Sequence, residues 1–259
     1  MISTIKNKIR IRGFAGKLLV AAFWLGVWEA ADRIVGQEIL VVSPACVLER
    51  LAQLARQPDF WLTAFFSMAR ILEGFLLGVL SGALLAVLSA RFTVCRALIR
   101  PVVSVVKATP VASFIILALV WMHADFVPVF SASLLVAPVV WGNVLEGIQK
   151  TDRNLLEMGR MFRFGAVKTA GRVYVPSVMP YFMSACTTGL GLSWKAGVAA
   201  EVLSSIPLSI GGKIYDAKIY LETADLFAWT ALVILLSVLL EHLMTFLMRR
   251  AAAKFNFGL

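Results

Sequence analysis

Long apolar stretches alternate with short polar joints along this chain. Six stretches, residues 15–35, 66–90, 99–122, 126–145, 177–203 and 224–248, meet or approach the length at which an apolar helix crosses a bilayer, about 20 residues. One joint is longer and more polar than the rest: residues 154–180, NLLEMGRMFRFGAVKTAGRVYVPSVMP. Leu155, Met158 and Phe162 recur there at helical spacing on one side, while Glu157, Arg160 and Arg163 lie toward the other. Gly165 follows as a breaker. Val167, Ala170, Gly171 and Tyr174 then repeat at i, i+3, i+4, i+7, and Pro176 is expected to end that second helix. A helix–turn–helix of this polarity does not cross lipid. Its expected use is as a docking knob for a soluble partner.

Composition agrees with a membrane class. The chain of 259 residues is 60% hydrophobic and its mean hydropathy is +0.85, far from a soluble globular domain. The first stretch runs into Asp32 and Arg33 without a small-residue cleavage site, so it is read as a span rather than a leader. The expectation is an all-α, polytopic membrane protein of six transmembrane helices in one domain, 1–259. It would have an N-terminal segment 1–14, a polar loop of about 149–176 and a tail 249–259.

The net charge of +10 would suit a nucleic-acid ligand, but the placement of the charges gives another reading. Lys6, Lys8, Arg10, Arg12 and Lys17 fall on one side of the predicted spans, with Arg91, Arg96 and Arg100, the basic residues of the long loop, and Arg249, Arg250 and Lys254. Segments 36–60, 124–125 and 204–223 on the other side balance Arg50, Arg56, Lys213 and Lys218 against six carboxylates. This is the positive-inside pattern, and it puts both termini and the loop in the cytoplasm. No nucleic-acid partner is expected.

Enzyme chemistry finds little support. Cys46, Cys95 and Cys186 are scattered, and His123 and His242 sit in different spans, so no metal constellation arises. No G-x-x-x-x-G-K-[ST] loop is present; Gly212-Lys213 runs into Ile214. Between spans, residues 42–57 read as a short external amphipathic helix, started by Ser43-Pro44, with Leu48, Leu51, Ala52 and Ala55 on one face. Gly74, Gly78 and Gly82 repeat every four residues, a spacing that lets a neighbouring helix approach closely. Pro101, Pro110, Pro128 and Pro138 should kink or unwind the third and fourth spans.

Charges within spans are candidates for a substrate pathway, because such groups are costly unless paired or hydrated. Lys195 stands mid-span beside Trp194 and would suit an anionic solute, although a carboxylate partner or snorkelling would equally accommodate it. Glu201, six residues on, falls on a different face and is expected near the outer mouth, toward a gate or a delivery protein. Lys107 precedes Thr109-Pro110, where the third span should bend. Arg70 and Glu73 are expected to compensate each other at i, i+3. The tryptophans fall mostly toward span ends, as in aromatic belts, with Trp194 the exception and helix packing its first reading.

The polar loop resembles the EAA signature of the membrane subunits of bacterial ATP-binding-cassette importers. Glu157-Met158-Gly159 stands for the opening triplet and Val173-Tyr174-Val175-Pro176 for the close, with Glu157 and Pro176 19 residues apart. The central glycine of that signature falls on Arg163, a departure that Gly165 could repair. Pro180 and YFMSACTTGLGLSWKAGVAAEVL look like the fifth span of the subfamily that moves nitrate, sulfonates and taurine, and IGGKIYDAKIYLETADLFAWTALVILLSVLLEHL continues the likeness. The similarity covers most of the chain from about residue 60.

The resemblance implies a type I importer permease fold in the bacterial inner membrane, with the loop as a coupling helix–turn–helix. Leu155, Met158 and Phe162 would fill a cleft on a cytoplasmic ATPase, Glu157 would meet a basic group there, and Gly159, Arg160, Arg163, Gly165 and Pro176 would shape the same surface. The implied partners are two ATP-binding subunits, a second permease copy in a homodimer, and a periplasmic or lipid-anchored solute-binding protein. ATP would be bound by the partner subunit, with no cofactor in this chain. A secondary transporter driven by an ion gradient is the alternative, but neither a clear internal repeat nor an embedded carboxylate pair speaks for it. A membrane-embedded enzyme lacks a convergent catalytic cluster.

Overall fold

The computed structural model describes residues 14–254, which form helices and their joints. The charges read at Lys6, Lys8, Arg10 and Arg12 lie outside the described residues. In chain order the helices are α1 (Phe14–Val35), α2 (Pro44–Leu54), α3 (Pro58–Arg91), α4 (Thr93–Ala108), α5 (Val111–Trp121) and α6 (Val127–Gln149). They continue with α7 (Arg153–Met161), α8 (Ala166–Thr169), α9 (Val175–Ser204), α10 (Ile210–Ile219) and α11 (Thr223–Lys254).

Among the described residues, three helices are long and apolar enough to cross a membrane: Pro58–Arg91, the unit Ala124–Gln149, and Thr223–Met248. The pair α4 and α5 passes only when taken together, and it bends by 107° at its break. The single third span expected over 99–122 is therefore two helices. Pro110 explains the break: it disfavours helix at Thr109 and has no N–H to continue the ladder. Thr109 adopts an extended conformation and closes α4 by donating its N–H to the Val105 carbonyl at 3.0 Å. Pro101 and Pro138, by contrast, sit inside continuous helices, and Pro128 opens α6. The stretches expected at 15–35 and 177–203 are helical, but α9 carries Ser177, Ser184, Thr187, Thr188, Ser193 and Lys195 and is less apolar than a bare lipid span.

A core of α3, α6 and α9 holds the molecule together, and the glycine ladder of α3 is its tightest seam. A Cβ added at Gly74 would lie 2.5 Å from the Val129 carbonyl oxygen. At Gly78 it would lie 2.6 Å from Val136 Cβ, and at Gly82 2.5 Å from the Ala137 carbonyl oxygen. Only hydrogen fits between these backbones, as the four-residue spacing predicts. Ile71, Phe75, Val136, Val140 and Leu190 fill the space around the seam. Helix α11 closes the core from outside, where the Trp194 indole N–H donates to the Val233 carbonyl at 3.1 Å.

Three local expectations are corrected. Pro176 does not end the second loop helix: the chain is helical from Ala166 through Ser204, with a π turn at Ala170–Tyr174 just before the proline. The wider turn makes room for a ring that would otherwise strike the carbonyl four residues back. On α2, Ser43 caps the helix as expected, its Oγ accepting from Cys46 N at 3.2 Å, but the buried face is Val47 and Leu54, while Leu48 is exposed. Trp141 and Trp229 are buried rather than belted. The Trp141 indole donates to Ser89 Oγ at 2.9 Å, and the Trp229 ring lies 5.0 Å from that of Phe60.

Candidate functional site

The loop between α6 and α9 is built as a rigid knob. Asp152 caps α7, its carboxylate accepting from Asn154 N at 2.8 Å. At the other end Phe164 N–H reaches back to the Gly159 carbonyl at 2.8 Å and Arg163 N–H to that of Arg160 at 2.9 Å. This is the paired closure in which the residue past the cap turns left-handed. That residue is Arg163, with φ of 51°. The turn thus falls where the resemblance places a glycine, and Gly165 does not supply it. Gly165 is extended, with φ of −67°, and caps α8.

Gly159 is buried beneath Phe164, whose ring a Cβ at Gly159 would meet at 3.5 Å. Lys168 Nζ lies 4.4 Å from the centre of the same ring. The outer face is open and apolar. Leu155 and Met158 are exposed with Phe162, and they are joined by Met161 and Val167 at 84% and 87% exposure. Glu157, Arg160 and Arg163 are exposed around this patch. Leu155, Met158 and Phe162 therefore do not cover the chain's own helices. Met161 was missed by sequence reading, because helical periodicity stops at the cap that turns the two short helices toward each other. Behind the knob, a 470 Å³ apolar cavity is walled by Val87 and Arg91 of α3, Val144 and Ile148 of α6, and Tyr174 and Phe182.

The charged span residues are not gathered in one place. Lys195 is exposed in the middle of α9, and Lys107 is exposed two residues before the break after α4. Trp194 is 2% exposed and its N–H is already bonded. Glu201 is fully buried instead of lining a mouth. Ser67 Oγ donates to its Oε2 at 2.8 Å and Gly211 N–H at 3.2 Å, while Arg70 Nη1 approaches Oε1 at 3.4 Å. Ser67 Oγ in turn accepts from Ile210 N at 2.8 Å. One carboxylate thereby ties α3, α9 and the start of α10 together at the end of the molecule opposite the knob.

Arg70 accordingly pairs with Glu201, and more distantly with Asp125 at 4.0 Å, rather than with the expected Glu73. Sequence could have offered i, i+3 proximity only; the partner that wins is 131 residues away and buried. At the same end, Arg50 Nη2 donates to Asp225 Oδ2 at 3.0 Å and staples α2 to α11. That hydrogen bond holds the Arg50 guanidinium above its ordinary value.

Known proteins resemble this chain in sequence and in fold. Residues 74–256 match the family described as the binding-protein-dependent transport system inner membrane component. The chain belongs to that family. It is a multi-pass inner-membrane permease, a transport subunit without an ATPase domain. A Brucella melitensis protein described as a probable ABC transporter permease is 27% identical over 91% of this chain and 95% of its own length. The bicarbonate transport system permease CmpB of Synechococcus elongatus is 24% identical over 73% of this chain and 68% of its own. The taurine transport system permease TauC of Escherichia coli is 21% identical over 86% and 83%. In fold, the permease aligns with a crystal structure of a bacterial ABC transporter that imports the acidic polysaccharide alginate. The TM-score is 0.62 at 14% identity, covering 93% of this chain and 96% of that one.

Proposed function

We propose that this permease forms the translocation path of an importer for a small anionic or zwitterionic solute, driven by a separate ATPase that docks on the α7 knob. The observation that carries the reading is the knob itself. It is a capped helix, apolar and exposed at Leu155, Met158, Met161 and Phe162 and edged by Glu157, Arg160 and Arg163, in a family of permeases that work with other subunits. In this reading α1 and α9 are spans as well, giving six, and the knob and both termini face the cytoplasm, in keeping with the basic residues at that end. Gly159, Gly165 and Pro176 shape the knob, and two ATPase subunits move it as a rigid body.

A second permease copy completes the path, since exposed Lys195 in the middle of a span cannot face lipid at low cost. Lys195 and Lys107 would attract the solute, in line with the bicarbonate and taurine permeases among the relatives. An external solute-binding protein would meet the opposite end, where Glu201 holds α10 in place. The test is mild-detergent purification of the tagged chain, expressed with its neighbouring genes, and mass spectrometry of what stays bound. A stoichiometric ATPase, lost on Glu157→Lys with insertion intact, supports the reading. A preparation free of ATPase overturns it and favours an ion-gradient transporter.

A further inference from the structure

Helix α4 has three sides, not two. Ile99, Val103 and Val106 pack toward the core, and Val94, Leu98, Val102 and Val105 are exposed apolar residues suited to lipid. The third side carries Arg96, Arg100, Ser104 and Lys107, spaced 4, 4 and 3 residues apart and all exposed. This row runs about 16 Å along the helix. It begins just after the end of α3, on the side of the knob, and stops at the 107° break before α5.

Its charges have no carboxylate partner among the described residues. No Asp or Glu occurs from Phe92 through Ala124, and neither Arg100 nor Lys107 takes part in an ion pair among the described residues. Arg96, at the base, is the one met by a neutral group, with the Gln149 side-chain amide 3.0 Å from its terminal nitrogens. Lys195 on α9 is similarly exposed and has no ion-pair partner among the described residues, and the only carboxylate of α9, Glu201, is turned inward and occupied. Two uncompensated cations in a row on a helix that also presents a lipid-compatible side need water or an anion on their own side.

We infer that the Arg100–Ser104–Lys107 side of α4 is the wall of the lane by which an anionic solute leaves for the cytoplasm. The broken helix ends that wall, and Lys195 stands on a separate helix as a further cation for the same solute. The two cations would draw the anion, while the Ser104 hydroxyl, which donates to the Arg100 carbonyl at 3.0 Å, keeps the position between them small and polar. The inference rests on the anionic-solute reading above and extends it to residues of α4.

A sulfonate-bearing probe tests this without knowing the cargo. In a full-length chain carrying Cys46→Ser, Cys95→Ser and Cys186→Ala, Ser104→Cys is placed between the two cations, and the protein is set in nanodiscs. Labelling rates are compared for anionic sulfonatoethyl and cationic trimethylammonioethyl methanethiosulfonates. Each rate is normalised to the same reagent on native Cys46, which is exposed on α2, in a chain retaining only that thiol.

The expected result is an anion preference of about tenfold, the lower range of electrostatic focusing. It should fall to about twofold in Arg100→Gln/Lys107→Gln and be kept in Arg100→Lys, which retains charge without shape. A thiol inert to both reagents, or a preference indifferent to the neutralising pair, overturns the inference. Lipid headgroups are the other source of anionic partners for such a row. If 30% phosphatidylglycerol in place of pure phosphatidylcholine abolishes the preference, the row is a lipid anchor and the lane is refuted. ATPase co-purification is unaffected by any of these outcomes, so failure here is distinguishable from failure of the importer reading.

Discussion

Replacing Gly78 by alanine introduces one methyl group at the seam between α3 and α6, and its cost can be worked from the structure. The added Cβ would lie 2.6 Å from Val136 Cβ and 2.9 Å from the Ser133 carbonyl oxygen. Carbon atoms rest at about 3.5–4.0 Å, so the overlap is about 1 Å. Neither obstacle can swing away: one is a carbonyl of α6, the other the branch point of a fully buried valine. The helices must therefore separate, loosening contacts along Gly74 and Gly82 as well. Overpacking of this kind costs about 1–3 kcal/mol.

The internal control is Gly142 of α6, where nothing lies within 4 Å of an added Cβ. Alanine there should stabilise by about 0.5–1 kcal/mol, through helix propensity alone. The assay is thermal unfolding in detergent, followed by tryptophan fluorescence and loss of the size-exclusion peak. At about 3 °C per kcal/mol for a chain of this size, Gly78→Ala should lower Tm by roughly 3–9 °C and Gly142→Ala should raise it slightly. Equal Tm values for the two variants would refute the close-packed seam.

Arg163→Gly should stabilise the knob by about 1 kcal/mol, because glycine takes the left-handed turn without the Cβ penalty. Slower amide exchange at Phe164 would report it, and unchanged exchange would mean the turn is not strained. Glu201→Ala should cost about 3–5 kcal/mol by leaving Arg70 and two buried donors without their carboxylate. Glu201→Gln, which keeps one oxygen to accept from both Ser67 and Gly211, should cost clearly less, and chemical denaturation of the two side by side separates them. Trp194→Phe should lose about 1 kcal/mol with the bond to Val233 and leave solute uptake intact. A selective loss of uptake would return Trp194 to the pathway.

The sequence by itself determined the features that repeat at short range. Apolar length placed α3, α6 and α11, since backbone groups in lipid must be satisfied within a helix. The four-residue glycine spacing announced the α3–α6 seam, and Ser43-Pro44 announced the start of α2. The spacing of Leu155, Met158 and Phe162 announced the knob, and the EAA-like residues around Glu157 its family.

Only the tertiary structure decided which long-range partner each polar group finds and how each turn is closed. Arg70 had an acid one helical turn away in Glu73, yet Glu201 holds it, because a buried carboxylate without donors costs more than an exposed one. Arg163 is read from sequence as a departure from a glycine, but its own backbone makes the turn, strain that the closing hydrogen bonds to Gly159 and Arg160 offset. Pro176 and Pro110 carry the same ring, yet one is absorbed by a π turn and the other breaks its helix at 107°. Past the first turn of a helix a proline removes one backbone hydrogen bond. Whether the chain widens or breaks there is set by what the helix on either side must pack against.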